Sequence, residues 1–76
     1  MNNARREKLN DIKTHLEMQK ERLESVMEEE QFAFDNLTEG LQSTMRGSLM
    51  EEAIDNMNAA IDAIDEAISY IDDASM

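Results

Sequence analysis

His15 is the only histidine in the chain, and it lies four residues after Asp11. An imidazole beside a carboxylate can bind a metal ion or transfer a proton, so this pair is the first candidate for chemistry. The sequence offers it no further ligand: cysteine is absent, and so is a Glu-x-x-His pair of the kind found in di-iron helical bundles. No nucleophile stands beside a base, and no glycine-rich phosphate loop is present. We therefore expect His15 to lie at the surface or rim of a helix, without a catalytic role.

Two acidic pairs at helical spacing offer a second chemistry, the binding of Mg²⁺. Glu24 follows Glu21 by three residues, and Asp55 follows Glu52 by three. Magnesium ligands must converge on one pocket. The heptad pattern described next instead places Glu52 and Asp55 at outward positions of a helix, so we predict no bound metal, no cofactor and no enzymatic activity.

A heptad repeat dominates the second half of the chain. The tripeptide Ala-Ile-Asp begins at Ala53 and again at Ala60, and Ala67-Ile68 begins a third heptad. Apolar residues recur there with spacings of 4-3-4-3-4-3, as the a and d positions of packed helices do. These residues are Met50, Ile54, Met57, Ile61, Ile64, Ile68 and Ile71. Alanines occupy the neighbouring g positions, where a methyl group lets a second helix approach closely: Ala53, Ala60, Ala67 and Ala74. Such a wide apolar face favours a helical bundle over a two-stranded coil.

A less regular apolar stripe runs through the first half. Its members are Leu9, Ile12, Leu16, Leu23, Val26, Ala33 and Leu37, and Gln19 and Glu30 interrupt it. After Leu23, a straight helix of 3.6 residues per turn would carry the stripe through Met27 and Phe34. Gln19 either fixes the register of the helix pair, as a single polar core residue can, or faces a wet edge.

The breakers of the chain lie in one short stretch. Both glycines, Gly40 and Gly47, fall between the two stripes, and proline is absent. We therefore expect one domain with a single reversal: a helix over about 4–35, a connection over about 36–47 with a short helical turn near 38–42, and a helix over about 48–73. Ser48 followed by Glu51 is a capping box, which predicts that the last helix begins near Ser48.

Charge is divided unevenly along the chain, whose net charge is −11. Six of the seven basic residues precede residue 23, and none follows Ser48. If residues whose numbers sum to roughly 83 face each other, Leu16 meets Ile68, Leu23 meets Ile61 and Val26 meets Met57. The same alignment places Arg5, Arg6, Lys8, Lys13, Lys20 and Arg22 beside Asp62, Asp65, Glu66, Asp72 and Asp73. An antiparallel pairing therefore complements charge, whereas each helix alone opposes its own dipole.

These patterns predict an all-α fold: an antiparallel two-helix hairpin with a heptad core. A lone hairpin of this size buries little apolar surface, so we expect a homo-oligomer, most economically a dimer that forms a four-helix bundle. Leu16, Leu23 and Val26 would build its core together with the heptad residues of the second helix. The high negative charge argues against direct binding to nucleic acid or to an anionic membrane. No apolar run is long enough to span a bilayer, and the lack of cysteine fits the cytoplasm.

Six apolar residues lie off the stripes and could bind another protein: Met18, Phe32, Leu41, Met45, Leu49 and Tyr70. Alternatively, the bundle covers them or they are singly exposed, as many surface apolar residues are. An acidic surface of Asp55, Asp62, Asp65 and Glu66 could imitate nucleic-acid phosphates and inhibit a DNA- or RNA-binding protein. The simpler interpretation is a solvated face that keeps the protein in solution.

Two resemblances to known proteins bear on function. The segments Asp35-Asn36-Leu37-Thr38-Glu39-Gly40-Leu41-Gln42, Arg46-Gly47 and Met50-Glu51-Glu52-Ala53-Ile54, with the Ala-Ile-Asp repeats, resemble small acidic helical-hairpin proteins of Gram-positive bacteria and their phages. That group has no assigned activity, so the resemblance implies only a cytoplasmic, phage-related hairpin. The acidic pairs at Glu21 and Glu52 resemble those of all-α nucleotide pyrophosphohydrolases, which implies magnesium-dependent hydrolysis as a remote alternative. We expect a self-associating adaptor or inhibitor that binds another protein.

Overall fold

The computed structural model describes all 76 residues and contains three helices and no strand. Helix α1 spans Asn3–Asp35, α2 spans Glu39–Gln42 and α3 spans Met45–Ala74. The two long helices pack together, and α2 packs on α3. The hairpin measures 58 × 15 × 12 Å, and its radius of gyration is 17.3 Å, against about 11 Å for a globular chain of this length. The all-α prediction with one reversal is therefore confirmed, in an elongated form.

Polar side chains define the start of each helix. The Asn2 side chain accepts a hydrogen bond of 2.8 Å from the Arg5 N–H, so α1 starts within one residue of the predicted position. Thr38 caps α2, the short turn predicted near residues 38 to 42. These side chains satisfy N–H groups that have no partner within their helices.

The prediction that the last helix begins near Ser48 is wrong, because α3 begins three residues earlier. Thr44 is its N-cap, and the Thr44 hydroxyl accepts from the Gly47 N–H at 3.5 Å. Gly47 lies inside the first turn and is buried. A Cβ atom there would lie 2.1 Å from the Gln42 carbonyl oxygen. Gly47 is therefore needed for the close approach of α2 to α3, and it does not interrupt the helix.

Gln42 joins the connection to the end of α1. Its side-chain amide donates to the carbonyls of Phe34 and Leu37, each at 3.2 Å. Carbonyls in the last turn of a helix lack partners within the helix, so these bonds stabilise the end of α1. No residue in the reversal has a positive φ. The chain therefore turns by capping and restarting helices, without a left-handed residue.

The face of α3 toward α1 follows the predicted spacing. Ile54 and Ile61 are buried, each 8% exposed. The remaining predicted residues on this face are partly buried: Met50, Met57, Ile64, Ile68 and Ile71. The α3 half of the interhelix contact, hereafter the seam, therefore lies where the sequence placed it.

The α1 half of the seam follows the predicted path through Met27 and Phe34 after Leu23, but it differs from the prediction at Ile12 and Val26. Leu9, Leu16 and Leu23 are partly buried, but Ile12 and Val26 are 49% and 51% exposed. Their expected places are taken by the residues that follow them in the heptads, all partly buried: Lys13, Lys20, Met27 and Phe34. The prediction that Val26 packs against Met57 is therefore wrong.

Leu9, Leu16 and Leu23 can face α3 together with either neighbouring column of α1, and side-chain size explains which column does so. Rotating α1 toward Met27 and Phe34 buries larger apolar side chains than Val26 and Ala33 would provide. The same rotation carries Lys13 and Lys20 toward acidic residues of α3. Gln19 consequently lies exposed, where it accepts a hydrogen bond of 3.4 Å from Arg22. Gln19 therefore lies at an exposed edge of the hairpin and does not fix the register of α1 against α3 within the chain.

Candidate functional surfaces

Two ion pairs cross the seam on one side of the hairpin. Lys13 Nζ lies 2.8 Å from Asp72 Oδ1, and Lys20 Nζ lies 2.6 Å from Asp65 Oδ1. Glu17 and Glu24 approach the same lysines at 4.0 and 3.7 Å. The residue numbers sum to 85 in both interhelix pairs, close to the predicted register. We call this set, Lys13, Glu17, Lys20, Glu24, Asp65 and Asp72, the charged side.

The ion pairs favour the protonated lysines. The hydrogen bond that Lys13 donates to Asp72, together with the negative charge of that carboxylate, raises the pKa of Lys13 above its ordinary value of 10.5. The hydrogen bond to Asp65 raises the pKa of Lys20 in the same way, although partial desolvation opposes the shift. The two lysine side chains are only 30% and 27% exposed. Their aliphatic stems thus cover the seam while the ammonium groups emerge at its edge.

The predicted cation–anion alignment is realised at two of its six basic positions. Arg6 also crosses to α3, but its Nε donates to the carbonyl of Ser75 at 3.2 Å. Arg5, Lys8 and Arg22 form no ion pair within the chain. These last three cations are therefore available at the surface.

The two acidic pairs with magnesium-like spacing do not share a pocket. Glu21 and Glu24 line a groove with Lys20, Asp65 and Ile68. With Lys20 opposite Asp65, Glu24 is level with residue 61, so Asp55 and Glu52 lie about 9 and about 13 Å farther along the axis at 1.5 Å per residue. No group of three or more acidic or histidine side chains is arranged to hold a metal ion.

His15 bonds to its own helix. Its Nδ1 lies 2.8 Å from the Asp11 backbone carbonyl, which can only accept, so Nδ1 carries the proton in this arrangement. The Asp11 carboxylate, which the sequence offered as its partner, is not involved in that bond. His15 shares a shallow groove with Ile12, Leu16 and Gln19. It is exposed at the rim of the seam, as expected.

The other side of the hairpin carries no charge pair. Since Glu17 and Glu24 flank the seam of α1 on the charged side, the heptad column of Ile12, Gln19, Val26 and Ala33 flanks it on the opposite side. Asp65 and Asp72 likewise place the alanine column of α3 opposite the charged side. We call this surface the open side; it comprises Ile12, Gln19, Val26, Ala33, Ala53, Ala60, Ala67 and Ala74. Ala33, Ala60 and Ala74 are exposed, and Ala53 and Ala67 are partly buried.

All six apolar residues proposed as a partner surface are exposed. Their exposed fractions are 50% for Met18, 72% for Phe32, 52% for Leu41, 75% for Met45, 58% for Leu49 and 66% for Tyr70. They do not form one patch. Met18 and Phe32 lie on the surface of α1 farthest from α3, whereas Leu41, Met45 and Leu49 gather near the reversal. Tyr70 lies near the carboxyl end of α3, so the six candidate residues are spread over three parts of the hairpin surface.

The proposed acidic surface is divided as well. Asp65 belongs to the charged side, where Lys20 neutralises it. Asp55, Asp62 and Glu66 are exposed and form no ion pair. The unpaired negative surface of α3 therefore consists of these three carboxylates with Glu51, Glu52 and Asp73, which are also exposed.

The fold and these surfaces define the chain as an antiparallel helical hairpin. Neither long helix has a stretch apolar enough to cross a lipid bilayer. Comparison with protein-family models, with curated proteins and with solved structures finds no match. The resemblance to small acidic hairpins of Gram-positive bacteria and phages therefore stays a prediction.

Sequence reasoning missed the role of Ile12 and Val26, which it assigned to the seam. The signal that could have corrected it is the position of Lys13 and Lys20. They are seven residues apart, as are Asp65 and Asp72, so two matched ion pairs form only when this column faces α3. Turning Lys13 and Lys20 inward turns Ile12 and Val26 outward.

Proposed function

We propose that the chain is a non-enzymatic helical assembly protein that self-associates and binds another protein. Its surface area is the observation that carries the proposal. The hairpin exposes 5678 Å², whereas a compact monomer of 8.7 kDa exposes about 4,740 Å². The excess of about 900 Å² is close to the area that one partner contributes to a stable interface, about 800 Å².

The small number of buried residues in the single chain also supports self-association. Only two hydrophobic residues, Ile54 and Ile61, are buried, and no side chain is less than 2% exposed. A four-helix bundle would surround the heptad residues on a further side and complete their burial. Self-association into a dimer is therefore part of the proposal, with the heptad residues as the assembly core.

Sedimentation or light scattering tests self-association directly. We expect twice the chain mass at micromolar concentration, with a cooperative thermal transition whose midpoint rises with protein concentration. A monomeric mass together with a concentration-independent transition would contradict the assembly role.

The apolar surfaces support binding to another protein. Phe32 and Met45 are the most exposed of the six candidate residues, and aromatic and methionine side chains are enriched at protein–protein interfaces. A binding protein of this kind, such as an adaptor or inhibitor, would retain its partner at high salt. Pull-down of the partner with tagged wild type and with tagged Phe32→Ala, each washed at low and at high salt, tests this surface. We expect the wild type to retain the partner at both salt concentrations and Phe32→Ala to retain it at neither. Retention by both proteins would exclude Phe32.

A second candidate function is inhibition of a nucleic-acid-binding protein by the acidic surface. It is favoured by the exposed carboxylates of α3 that lack a basic partner, among them Asp55, Asp62 and Glu66. Such binding would be lost at high salt, and reversal of these three charges to lysine would abolish it. Asp65 must be left unchanged in that test, since its reversal would also break the pair with Lys20. Phe32→Ala would have no effect on capture of this kind.

A further inference from the structure

The open side has the composition of a helix–helix interface but no covering element in the chain. Ile12 and Val26 are about half exposed there, although β-branched apolar residues are usually buried in folded proteins. Opposite them, methyl groups alone line α3 from Ala53 to Ala74 at seven-residue intervals. Small residues in such a column let another helix approach closely. The open side thus differs from an ordinary solvated surface.

Its size suits one specific occupant, a second copy of the chain. The hairpin is 58 Å long and 15 Å wide, so one full side has a footprint of roughly 870 Å², close to the average of about 800 Å² per partner in stable interfaces. A symmetric dimer buries the same surface on both copies. One such contact would therefore account for the excess exposure of the single chain.

Charge at the margins decides between the two ways in which two open sides can face each other. Beyond Ile12 and Val26, the next column of α1 carries Lys8, His15, Arg22 and Glu29. Beyond the alanines, the next column of α3 is uncharged: Leu49, Asn56, Ala63 and Tyr70. If α1 of one copy lay against α1 of the other, like charges would meet. If α1 lies against α3 of the other copy, the charged column of α1 meets the uncharged column of α3, and no like charges meet.

The register of the ion pairs gives the levels of these charges. If the twofold axis of the dimer is parallel to the helices, each residue has the same height along that axis in both copies. Residues that face each other across the contact then have numbers that sum to 85, as in the ion pairs within the chain. Lys8 then lies level with the end of α3, one turn beyond Asp73, and Arg22 lies level with residue 63, one turn from Glu66. Neither cation has an ion pair within its own chain. With α1 against α3 of the other copy, neither cation meets another cation, whereas α1 against α1 would place Lys8 beside Lys8 and Arg22 beside Arg22.

The geometry points to a dimer in which the open sides of two copies of this chain meet, with α1 of each against α3 of the other and antiparallel to it. This inference depends on the self-association proposed above. It adds the surface, the occupant and the orientation. The charged side, the apolar residue Met18 and the unpaired carboxylates stay outside the contact.

Two matched substitutions test the surface. Val26→Glu places a charge on the open side, and Met18→Glu places one on the far side of the same helix. The wild-type side chains are 51% and 50% exposed in the single hairpin, and Arg22 lies four residues from both, so either glutamate can pair with it. Light scattering is expected to give half the wild-type mass for Val26→Glu and the wild-type mass for Met18→Glu.

Circular dichroism on the same samples shows whether either variant has lost its helical structure. Because both positions are equally exposed in the single hairpin, loss of helicity in Val26→Glu alone also supports a covered open side. A dimeric wild type that persists in Val26→Glu, or dissociates with Met18→Glu instead, would leave self-association standing and overturn the assignment of the face. A monomeric wild type would overturn self-association itself, and this dimer with it.

Engineered disulfides test the orientation, since the chain has no cysteine of its own. Val26 is level with residue 59, one residue from Ala60, so the two columns meet across the proposed contact. Val26→Cys and Ala60→Cys chains, refolded together and oxidised, are expected to give a mixed disulfide dimer in at least threefold excess over either chain oxidised alone. Predominant linkage within the Val26→Cys chains alone would instead place α1 against α1 and overturn the orientation.

Discussion

On the charged side of the seam, Lys13 and Lys20 cross from α1 to carboxylates of α3. On the open side, Ile12 and Val26 face solvent beside a column of alanines. The charged side thus finds its partners within one chain, because every cation there has a carboxylate within 4.0 Å. The open side has no partner of any kind in the hairpin. One side of the hairpin is therefore paired within the chain, and the other is the surface on which we propose contact with a second copy.

The largest expected effect comes from breaking the seam that supports both sides. Ile61→Asp would bury a carboxylate without a partner and remove one of the two buried isoleucines, at a cost of at least about 3 kcal/mol in the free energy of unfolding. Ala59→Asp, at an exposed position of the same helix, is the matched control. Thermal denaturation followed by circular dichroism should show loss of helicity in the first variant only. Unchanged helicity and mass in Ile61→Asp would refute the assignment of Ile61 to the core.

A smaller loss of stability is expected at the reversal, where α2 packs on α3. Gly47→Ala would bring a methyl group 2.1 Å from the Gln42 carbonyl oxygen, forcing α2 away from α3. Overpacking of this kind costs about 1–3 kcal/mol. At Gly40 a Cβ would meet nothing within 4 Å, so Gly40→Ala should leave stability unchanged or raise it by about 0.5 kcal/mol. Urea denaturation midpoints compare the two variants, and equal midpoints would mean that the contact between Gly47 and Gln42 is not required.

A double-mutant cycle on the charged side should reveal only a small coupling. Lys20 and Asp65 are 27% and 51% exposed, and exposed pairs of this kind couple by about 0.2–1 kcal/mol. Lys20→Met, Asp65→Asn and the double variant provide the cycle, with unfolding free energies from urea titrations. The mass in solution should be that of the wild type in all three. A change of mass on removing this pair would mean that the charged side also takes part in assembly, and the contrast between the sides would fail.

The smallest effect expected is a loss of stability at high pH. The pKa values of Lys13 and Lys20 are raised in the folded chain, chiefly by hydrogen bonds to Asp72 and Asp65. Their contribution is therefore fully present below the ordinary lysine pKa of 10.5 and is lost as the pH rises through the raised values. Urea midpoints of the wild type should fall more between about pH 10 and about pH 12 than those of a Lys13→Met, Lys20→Met variant. Equal decreases would assign the pH dependence to other groups.

Much of the fold followed from local patterns. The spacing of Ile54, Ile61 and Ile68 allows one helical face only, and the end-to-end division of charge favours antiparallel packing over parallel packing. The boundary of α3 was less certain because Thr44 and Ser48 are both good N-caps. What selected Thr44 is the contact of Gly47 with Gln42, which lies outside the helix and leaves no trace in local propensity. Tertiary packing decided between two caps of similar strength.

The sequence by itself determined two amphipathic helices, one reversal and the complementary charges that pair them, because all three depend on residue type and spacing along the chain. Only the tertiary structure decided which of two heptad columns of α1 faces α3. The columns share Leu9, Leu16 and Leu23, so periodicity alone cannot choose between them. Packing of Met27 and Phe34, with ion pairs at Lys13 and Lys20, rotates the helix by a fraction of a turn. That rotation leaves Ile12 and Val26 exposed on the open side.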